Sequence, residues 1–177
     1  MSEVEKKLKE FAEYLKKINH YTTAGNLMYW DMTTGMPEAM AESRAETLSF
    51  FQTEVHSLNV SPKIAEFIEF FESHMGEFDY IHKRMTEQLK KKYENQKRYP
   101  EEFIKEFSLA ASRGEVAWEK AKNASDFDVF KPALEKIVDL TKKSIEYKGY
   151  EDNKYDALLD DYEAGLTVNK LDKVFGY

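Results

Sequence analysis

The first 29 residues carry a stripe of positions spaced alternately four and three residues apart, which is the repeat of one helix face. Ser2 and Glu5 stand at the start of this stripe as a capping box, in which each side chain satisfies a backbone N–H at the helix start. The repeat predicts one helix of about 28 residues, roughly 40 Å long. The members of the stripe are Val4, Leu8, Phe11, Leu15, Ile18, Thr22, Gly25 and Tyr29.

The rest of the chain repeats the same helical spacing between clear start and stop signals. Only four prolines and seven glycines interrupt it, and Ser61-Pro62 and Pro100 both stand where a helix should begin. The sequence therefore predicts an all-α fold of about six to seven helices in an antiparallel bundle-like array, forming a single domain over residues 1–177. The predicted helices after the first cover about Pro37 to Leu58, Pro62 to Met75, Phe78 to Arg98, Pro100 to Ala121, Asp128 to Tyr147, a short segment at 155–165 and a last one from Thr167.

The last predicted helix has barely two turns before the sequence stops at Tyr177. Isolated helices of this length are marginal in water, so an apolar stripe with nothing after it predicts an array that is incomplete at its C-terminus. The expectation is a helical domain that is a fragment of a larger helical protein.

Composition excludes several classes of function. The chain has no cysteine, which rules out disulfide frameworks and thiolate zinc sites and favours a cytoplasmic location. It has no apolar run long enough for a membrane span, and its net charge of -7 argues against general nucleic-acid binding. Residues 82–98 carry a local excess of Lys and Arg, which is interpreted as an exposed helix face.

The stretch from Ile18 to Pro37 contains a single charged residue, Asp31, although 33% of the chain is charged. Such a stretch is typical of a buried centre, where a lone carboxylate needs a partner. Arg44 and Arg113, two of only four arginines, both lie among small residues, which let helices approach closely. We predict that Asp31 pairs with one of them and ties the first, second and fifth helices together. The alternative is a solvent-facing Asp31 that ends its helix.

No histidine or carboxylate pattern predicts catalysis. None of the four histidines stands at a metal-binding helical spacing, and all four are predicted to be solvated surface residues. Asp156 and Asp160 lie one turn apart beside Tyr155, and are interpreted as a helix cap and a solvated acidic face. The sequence predicts no catalytic residue, no metal ligand and no cofactor for this chain.

Three motifs resemble those of one enzyme family, the thermostable Taq-type zinc metallocarboxypeptidases. YWDMTTGMP at 29–37, followed by SRAETL at 43–48, is similar to the family's Trp-Asp-x-x-x-x-Met-Pro element and the Arg-Ala helix after it. Residues 112–140, which include Trp118, resemble its Ser-Arg-x-x-x-x-Trp-x-x-Ala stretch leading to Phe-x-Pro-x-Leu. Residues 155–175 resemble its Tyr-Asp-x-Leu-Leu-Asp-x-Tyr-Glu-x-Gly segment.

The resemblance implies a helical, usually homodimeric enzyme that removes C-terminal amino acids from peptides. In that family zinc (or cobalt) is held by a His-Glu-x-x-His motif and a downstream Glu, and no such motif occurs in this sequence. The implied role is scaffold and groove wall, inactive alone, with the missing catalytic portion as partner. Structural roles are expected for Trp30, Asp31, Arg44, Arg113, Trp118, Tyr155 and Asp156.

A second interpretation remains open at this point. The chain could be a stand-alone helical module that binds other proteins and shares only the scaffold of the family. The coding frame beyond Tyr177 separates the two, because a downstream His-Glu-x-x-His favours the enzyme and a stop codon favours the binding module.

Overall fold

A computed structural model describes residues 1–176, so Tyr177, the last residue of the predicted domain, lies outside the described residues. Over that range the chain forms eight α-helices and no β-strand, which confirms the predicted all-α class. Short 3₁₀ turns precede α2, α4 and α6, at Glu38–Met40, Met75–Glu77 and Phe127–Val129. The helices are α1 (Glu3–Thr34), α2 (Ala41–Asn59), α3 (Pro62–Ser73), α4 (Tyr80–Lys97), α5 (Glu101–Ala124), α6 (Lys131–Lys148), α7 (Lys154–Tyr162) and α8 (Val168–Phe175).

Local sequence signals set most of the helix ends. The capping box of Ser2 and Glu5 is present at the start of α1, and the Ser61 side chain accepts the Ile64 backbone N–H at the start of α3. Gly149 follows α6 with φ +79°, a left-handed conformation that glycine adopts without a steric penalty. The structure has eight helices rather than six to seven, because the short segment predicted at 155–165 forms a helix of its own, α7.

Helix α2 lies at the centre of the array, with α1 on one side and α5 on the other. The Tyr14 hydroxyl donates to the Leu58 carbonyl at 3.0 Å, so the first half of α1 lies beside the end of α2 and the two helices run antiparallel. Ser49 donates to the Lys105 carbonyl at 3.1 Å and holds α5 antiparallel to α2. Helix α6 then packs on α5, and α7 and α8 follow it outward.

The best-defined core lies near the N-terminal end of α1 rather than in the low-charge stretch. Its buried members are Phe11, Ile64, Phe67, Ile68, Phe71 and Phe78, contributed by α1, α3 and the turn before α4. The prediction that 18–37 forms the buried centre is therefore wrong. Only Ile18, Gly25 and Met32 are buried there, because α2 covers one side of α1, while Leu27 and Trp30 are about two-thirds exposed at 64% and 65%.

Small residues do permit one close approach, between α5 and α6. A methyl group at Gly114 would lie 2.5 Å from Cδ1 of Ile137, so the two helices come together at this glycine. The prediction that the surroundings of Arg113 favour helix contact thus applies to α6.

His56 departs from the prediction that all histidines are solvated, because it is buried in the contact between α2 and the start of α5. Its Nε2 lies 3.0 Å from the Tyr99 carbonyl oxygen and so donates a proton to it. Burial lowers the pKa of His56, since the charged ring loses hydration, although the Tyr99 hydrogen bond and the Glu101 carboxylate act in the opposite direction.

Lowering the pH should weaken the fold through His56. The unfolded chain binds the His56 proton more tightly, so the free energy of unfolding should fall as the pH drops below about 6.5 and level off below the folded pKa. Denaturant unfolding measured from pH about 8 to about 5 checks this. A His56→Gln variant should lose this fall in the free energy of unfolding at low pH. The control variant His20→Gln, at an exposed position, should keep the fall. Equal pH profiles for wild type and His56→Gln would contradict the assignment.

Candidate functional site

The C-terminal end of α1 places the predicted Asp31 beside the first turns of α2. Arg44 Nη2 lies 2.6 Å from Asp31 Oδ2, so the predicted pairing of Asp31 is made by Arg44. The Asp31 side chain is 44% exposed, which means that the pair is half in solvent and is not a buried charge. The Asp31 backbone carbonyl also accepts the N–H groups of Gly35 and Met36 and so closes the helix end.

The second candidate, Arg113, pairs with a different carboxylate. Its Nε lies 3.1 Å from Glu42 Oε2, and its Nη2 contacts the other carboxylate oxygen. The guanidinium therefore donates two hydrogen bonds to Glu42. This contact lowers the pKa of Glu42 and raises that of Arg113. Glu42 lies in the first turn of α2, and the two arginine pairs together join α1 to α2 and α2 to α5.

Two more polar contacts close the same end of the molecule. The Tyr29 hydroxyl donates to Glu115 Oε1 at 3.1 Å, a direct link from α1 to α5 that raises the pKa of the tyrosine. Lys120 pairs with Glu38 at 2.6 Å and lowers the pKa of that carboxyl. Tyr29, Glu42, Glu115 and Lys120 were not predicted as site residues. The sequence offered no signal for them, because each contacts a helix that is distant along the chain.

The two tryptophans of the predicted set lie at this end but are not core residues. Trp30 is 65% exposed and Trp118 is 47% exposed. Lys122 Nζ lies 4.9 Å from the Trp118 ring centre, a cation–π contact at the surface. Five predicted residues, Trp30, Asp31, Arg44, Arg113 and Trp118, therefore lie on the helices that form one end of the array.

A cleft of about 470 Å³ is lined by residues of α1, α2 and α5. Leu48 and Ile104 provide large apolar lining residues, while Asn26, Gln52 and Ser108 provide amide and hydroxyl groups. The Tyr29–Glu115 hydrogen bond belongs to the same lining. No histidine, cysteine or lysine lines the cleft, and its walls offer shape and hydrogen-bonding groups.

Tyr155 and Asp156 lie on α7, which contacts α6 and α8 and is not part of this end. Asp156 Oδ1 accepts the Val168 backbone N–H at 2.7 Å, and Asp160 Oδ1 accepts that of Gly165 at 2.8 Å. Both carboxylates thus hold the turn between α7 and α8. Lys148 Nζ contacts Asp161 as well, so the acidic segment is used for local structure, in the way that the cap interpretation predicts.

Metal ligation has no support among residues 1–176, which contain no group of three or more His, Asp or Glu side chains placed to hold an ion. The side chains present therefore do not fit the metal that a metallopeptidase requires.

On the basic helix α4, Arg84 pairs with Glu87 and Lys90 with Glu72, so part of its positive charge is neutralised within the fold. No helix in the described part of the chain is long and apolar enough to cross a membrane.

The Asp31–Arg44 pair is expected to contribute little to stability despite its short distance. A double-mutant cycle with Asp31→Asn and Arg44→Gln should give a coupling energy of about 0.2 to 1 kcal/mol, because water screens a half-exposed pair. Denaturant unfolding at low and at high salt measures this, and the coupling should shrink as salt rises. A coupling of about 3 kcal/mol or more would instead indicate a buried pair.

Comparison with known proteins identifies relatives over almost the whole chain. A family profile described as Carboxypeptidase Taq (M32) metallopeptidase matches residues 10–177. Carboxypeptidase 1 of Bacillus subtilis (strain 168) is 40% identical over 167 residues, which are 94% of this chain and 33% of that protein. Thermostable carboxypeptidase 1 of Pyrococcus furiosus is 34% identical over 154 residues, 86% of this chain and 30% of its own length.

Solved structures give the same relationship. The crystal structure of BsuCP superposes with a TM-score of 0.93 at 39% identity, covering 97% of this chain and 34% of that one. The Apo-Mg structure of the Pyrococcus furiosus carboxypeptidase gives 0.72 at 31% identity, covering 99% and 35%. The chain thus spans about a third of the length of the curated relatives that it matches. The resemblance of the three motifs is confirmed, and the chain belongs to the Carboxypeptidase Taq (M32) metallopeptidase family.

Proposed function

We propose that this chain is the N-terminal scaffold and one wall of the substrate groove of a metal-dependent carboxypeptidase that removes C-terminal amino acids from peptides. The observation that carries the proposal is the match of nearly the whole chain to carboxypeptidases three times as long. The cleft between α1 and α5 supports the same role, because its apolar, amide and hydroxyl lining suits contact with an uncharged peptide side chain.

The metal is proposed to lie in a part of such an enzyme outside residues 1–176. Zinc or cobalt would polarise the scissile carbonyl there and activate a water molecule. Among this chain's own residues, Asp31, Arg44, Arg113 and Trp118 are proposed to fix the relative positions of α1, α2 and α5, whereas Trp30 points away from α2 and is not part of these contacts. Tyr155 and Asp156 are proposed to shape the turn into α8.

The complete assembly is proposed to be a homodimer in the cytoplasm that acts on peptide substrates. Cell fractionation with an antibody against the chain tests the location. The partner of this chain within each subunit would be the catalytic portion.

Sequencing of the gene beyond the codon for Tyr177 tests the proposed function. A His-Glu-x-x-His motif downstream in the same frame is the expected result, since this pattern places two metal ligands on one helix face with a glutamate between them. A stop codon directly after Tyr177 would contradict the proposal and favour the stand-alone binding module.

A further inference from the structure

The cleft lined by α1, α2 and α5 contains one charged side chain, Glu115. Leu48 and Ile104 give it an apolar body, and its other polar side chains are neutral. Binding sites for small ligands and single side chains have this composition, an apolar body on which a few polar groups converge. Four of the neutral polar side chains make no side-chain hydrogen bond within the described part of the chain: Asn26, Gln52, Ser108 and Ser112.

The Glu115 carboxylate is bound by a neutral hydroxyl and by no cation. Tyr29 donates to its Oε1 at 3.1 Å, and this hydrogen bond together with the charge of Glu115 raises the pKa of Tyr29. Across residues 1–176, no lysine or arginine pairs with Glu115. Lys122, which lines a neighbouring cleft with it, lies over the Trp118 ring instead, 4.9 Å from the ring centre. The second carboxylate oxygen, Oε2, is therefore left to accept a hydrogen bond from a ligand.

The charge of Glu115 makes a cation the complementary ligand for this cleft. A carboxylate without a counter-charge in a cleft with partly apolar walls attracts positive charge more strongly than one in open water. A lysine or arginine side chain fits such a lining, because its methylene groups can lie against Leu48 and Ile104 while its charged head reaches Glu115. Three other carboxylates at this end of the array are already paired within the fold: Asp31 with Arg44, Glu42 with Arg113 and Glu38 with Lys120.

We propose that this cleft binds an arginine or lysine side chain in the interior of a peptide substrate, with Glu115 as the specificity-determining residue. The charged head donates to Oε2 of Glu115, and Tyr29 holds the carboxylate through the other oxygen. The side chain belongs to a residue before the one that is removed, since the metal is proposed to lie outside residues 1–176. The inference rests on the proposed function and adds one charged position to a cleft whose remaining lining suits uncharged groups.

A nuclear magnetic resonance titration of the isotope-labelled 177-residue chain tests the cleft. The probe is an acetylated alanine peptide with one internal arginine, and its control carries citrulline, which has nearly the same shape without the charge. The arginine peptide should shift the backbone N–H signals of Asn26, Ser108 and Ser112 in a saturable way. The citrulline peptide should bind about tenfold more weakly, because it lacks the charge-assisted hydrogen bond to Glu115.

The Glu115→Gln variant isolates the charge, because glutamine keeps an oxygen that can accept the Tyr29 hydroxyl. It should raise the dissociation constant of the arginine peptide about tenfold, to the value for the citrulline peptide. The matched control is Glu102→Gln, which removes a glutamate from the first turn of the same helix, outside the cleft, and should leave binding unchanged. Circular dichroism checks that both variants stay folded. Equal binding of the two peptides, no effect of Glu115→Gln, or shifts confined to residues outside the cleft would overturn the proposal.

Peptide turnover by the complete enzyme separates a substrate from the catalytic portion as the source of the cation. There, Glu115→Gln should raise the KM for the arginine peptide relative to that for the citrulline peptide by about tenfold. An unchanged ratio would mean that the subunit itself fills the cleft, and would overturn the proposal. The gene-sequence test is separate: a downstream His-Glu-x-x-His with no peptide binding rejects this inference alone, whereas a stop codon after Tyr177 rejects the proposed function.

Discussion

Replacing Phe67 by alanine is expected to lower the free energy of unfolding by about 3 to 5 kcal/mol. Phe67 is fully buried, and its ring centre lies 5.1 Å from that of Phe11 in an edge-on contact and 6.1 Å from that of Phe71 in a stacked one. Truncation would remove these contacts and leave a cavity where α1 and α3 meet. The surrounding rings belong to two helices, α1 and α3, so the space cannot close by the movement of one side chain.

Chemical denaturation followed by circular dichroism measures this effect. Phe127→Ala is a matched control, since Phe127 is 60% exposed in the turn before α6 and should change stability by no more than about 0.5 kcal/mol. If Phe67→Ala cost less than about 1 kcal/mol, the aromatic cluster would not be the main core of this part of the fold.

A second large effect is expected at Leu140, on the other side of the array. Leu140 is 1% exposed on α6, the helix that packs against α5 and α7, and it is not a member of the aromatic cluster. Leu140→Ala should therefore destabilise the fold by about 2 to 5 kcal/mol through lost burial and a residual cavity.

Thermal and denaturant unfolding of Leu140→Ala should be compared with Val138→Ala on the same helix. Val138 is 41% exposed, so its truncation should stay within about 0.5 kcal/mol of wild type. Similar losses for both variants would mean that α6 does not bury the face assigned to it.

Helix positions could be predicted from the sequence because short-range chemistry decides them. Three helices begin with a side chain that accepts a backbone N–H group: Ser61 at α3, Asp79 at α4 and Thr167 at α8. Pro100 precedes α5 and acts differently, because a proline prevents the preceding helix from continuing through it. These signals act within three or four residues and need no knowledge of the rest of the fold.

The location of the core could not be predicted in the same way. Lack of charge in 18–37 indicated burial, but a helix that packs on one side only leaves half of its residues exposed whatever their type. Which side α2 covers is decided by Gly25 and Met32, and the uncharged Leu27 and Trp30 point the other way. Absence of charge in 18–37 therefore did not mark a buried centre.

The partner of Asp31 shows the same limit for the candidate site. Scarcity of arginine narrowed the choice to Arg44 and Arg113, and the structure selects Arg44. The sequence could not choose, because the competing carboxylate Glu42, which takes Arg113, is brought to α5 only by the packing of α2. The Tyr29–Glu115 contact spans 86 positions in sequence and depends on the same packing.

A peptidase assay tests the central claim, that this chain supplies scaffold and carries none of the chemistry of its family. The purified chain is incubated with an N-blocked dipeptide and zinc or cobalt, and the released C-terminal amino acid is quantified, with Carboxypeptidase 1 of Bacillus subtilis as positive control. The expected result is no metal-dependent release above the rate with the metal alone, because residues 1–176 contain no cluster that could hold the ion. The account would be contradicted by metal-dependent release of the C-terminal amino acid that a chelator abolishes and that co-purifies with the folded chain.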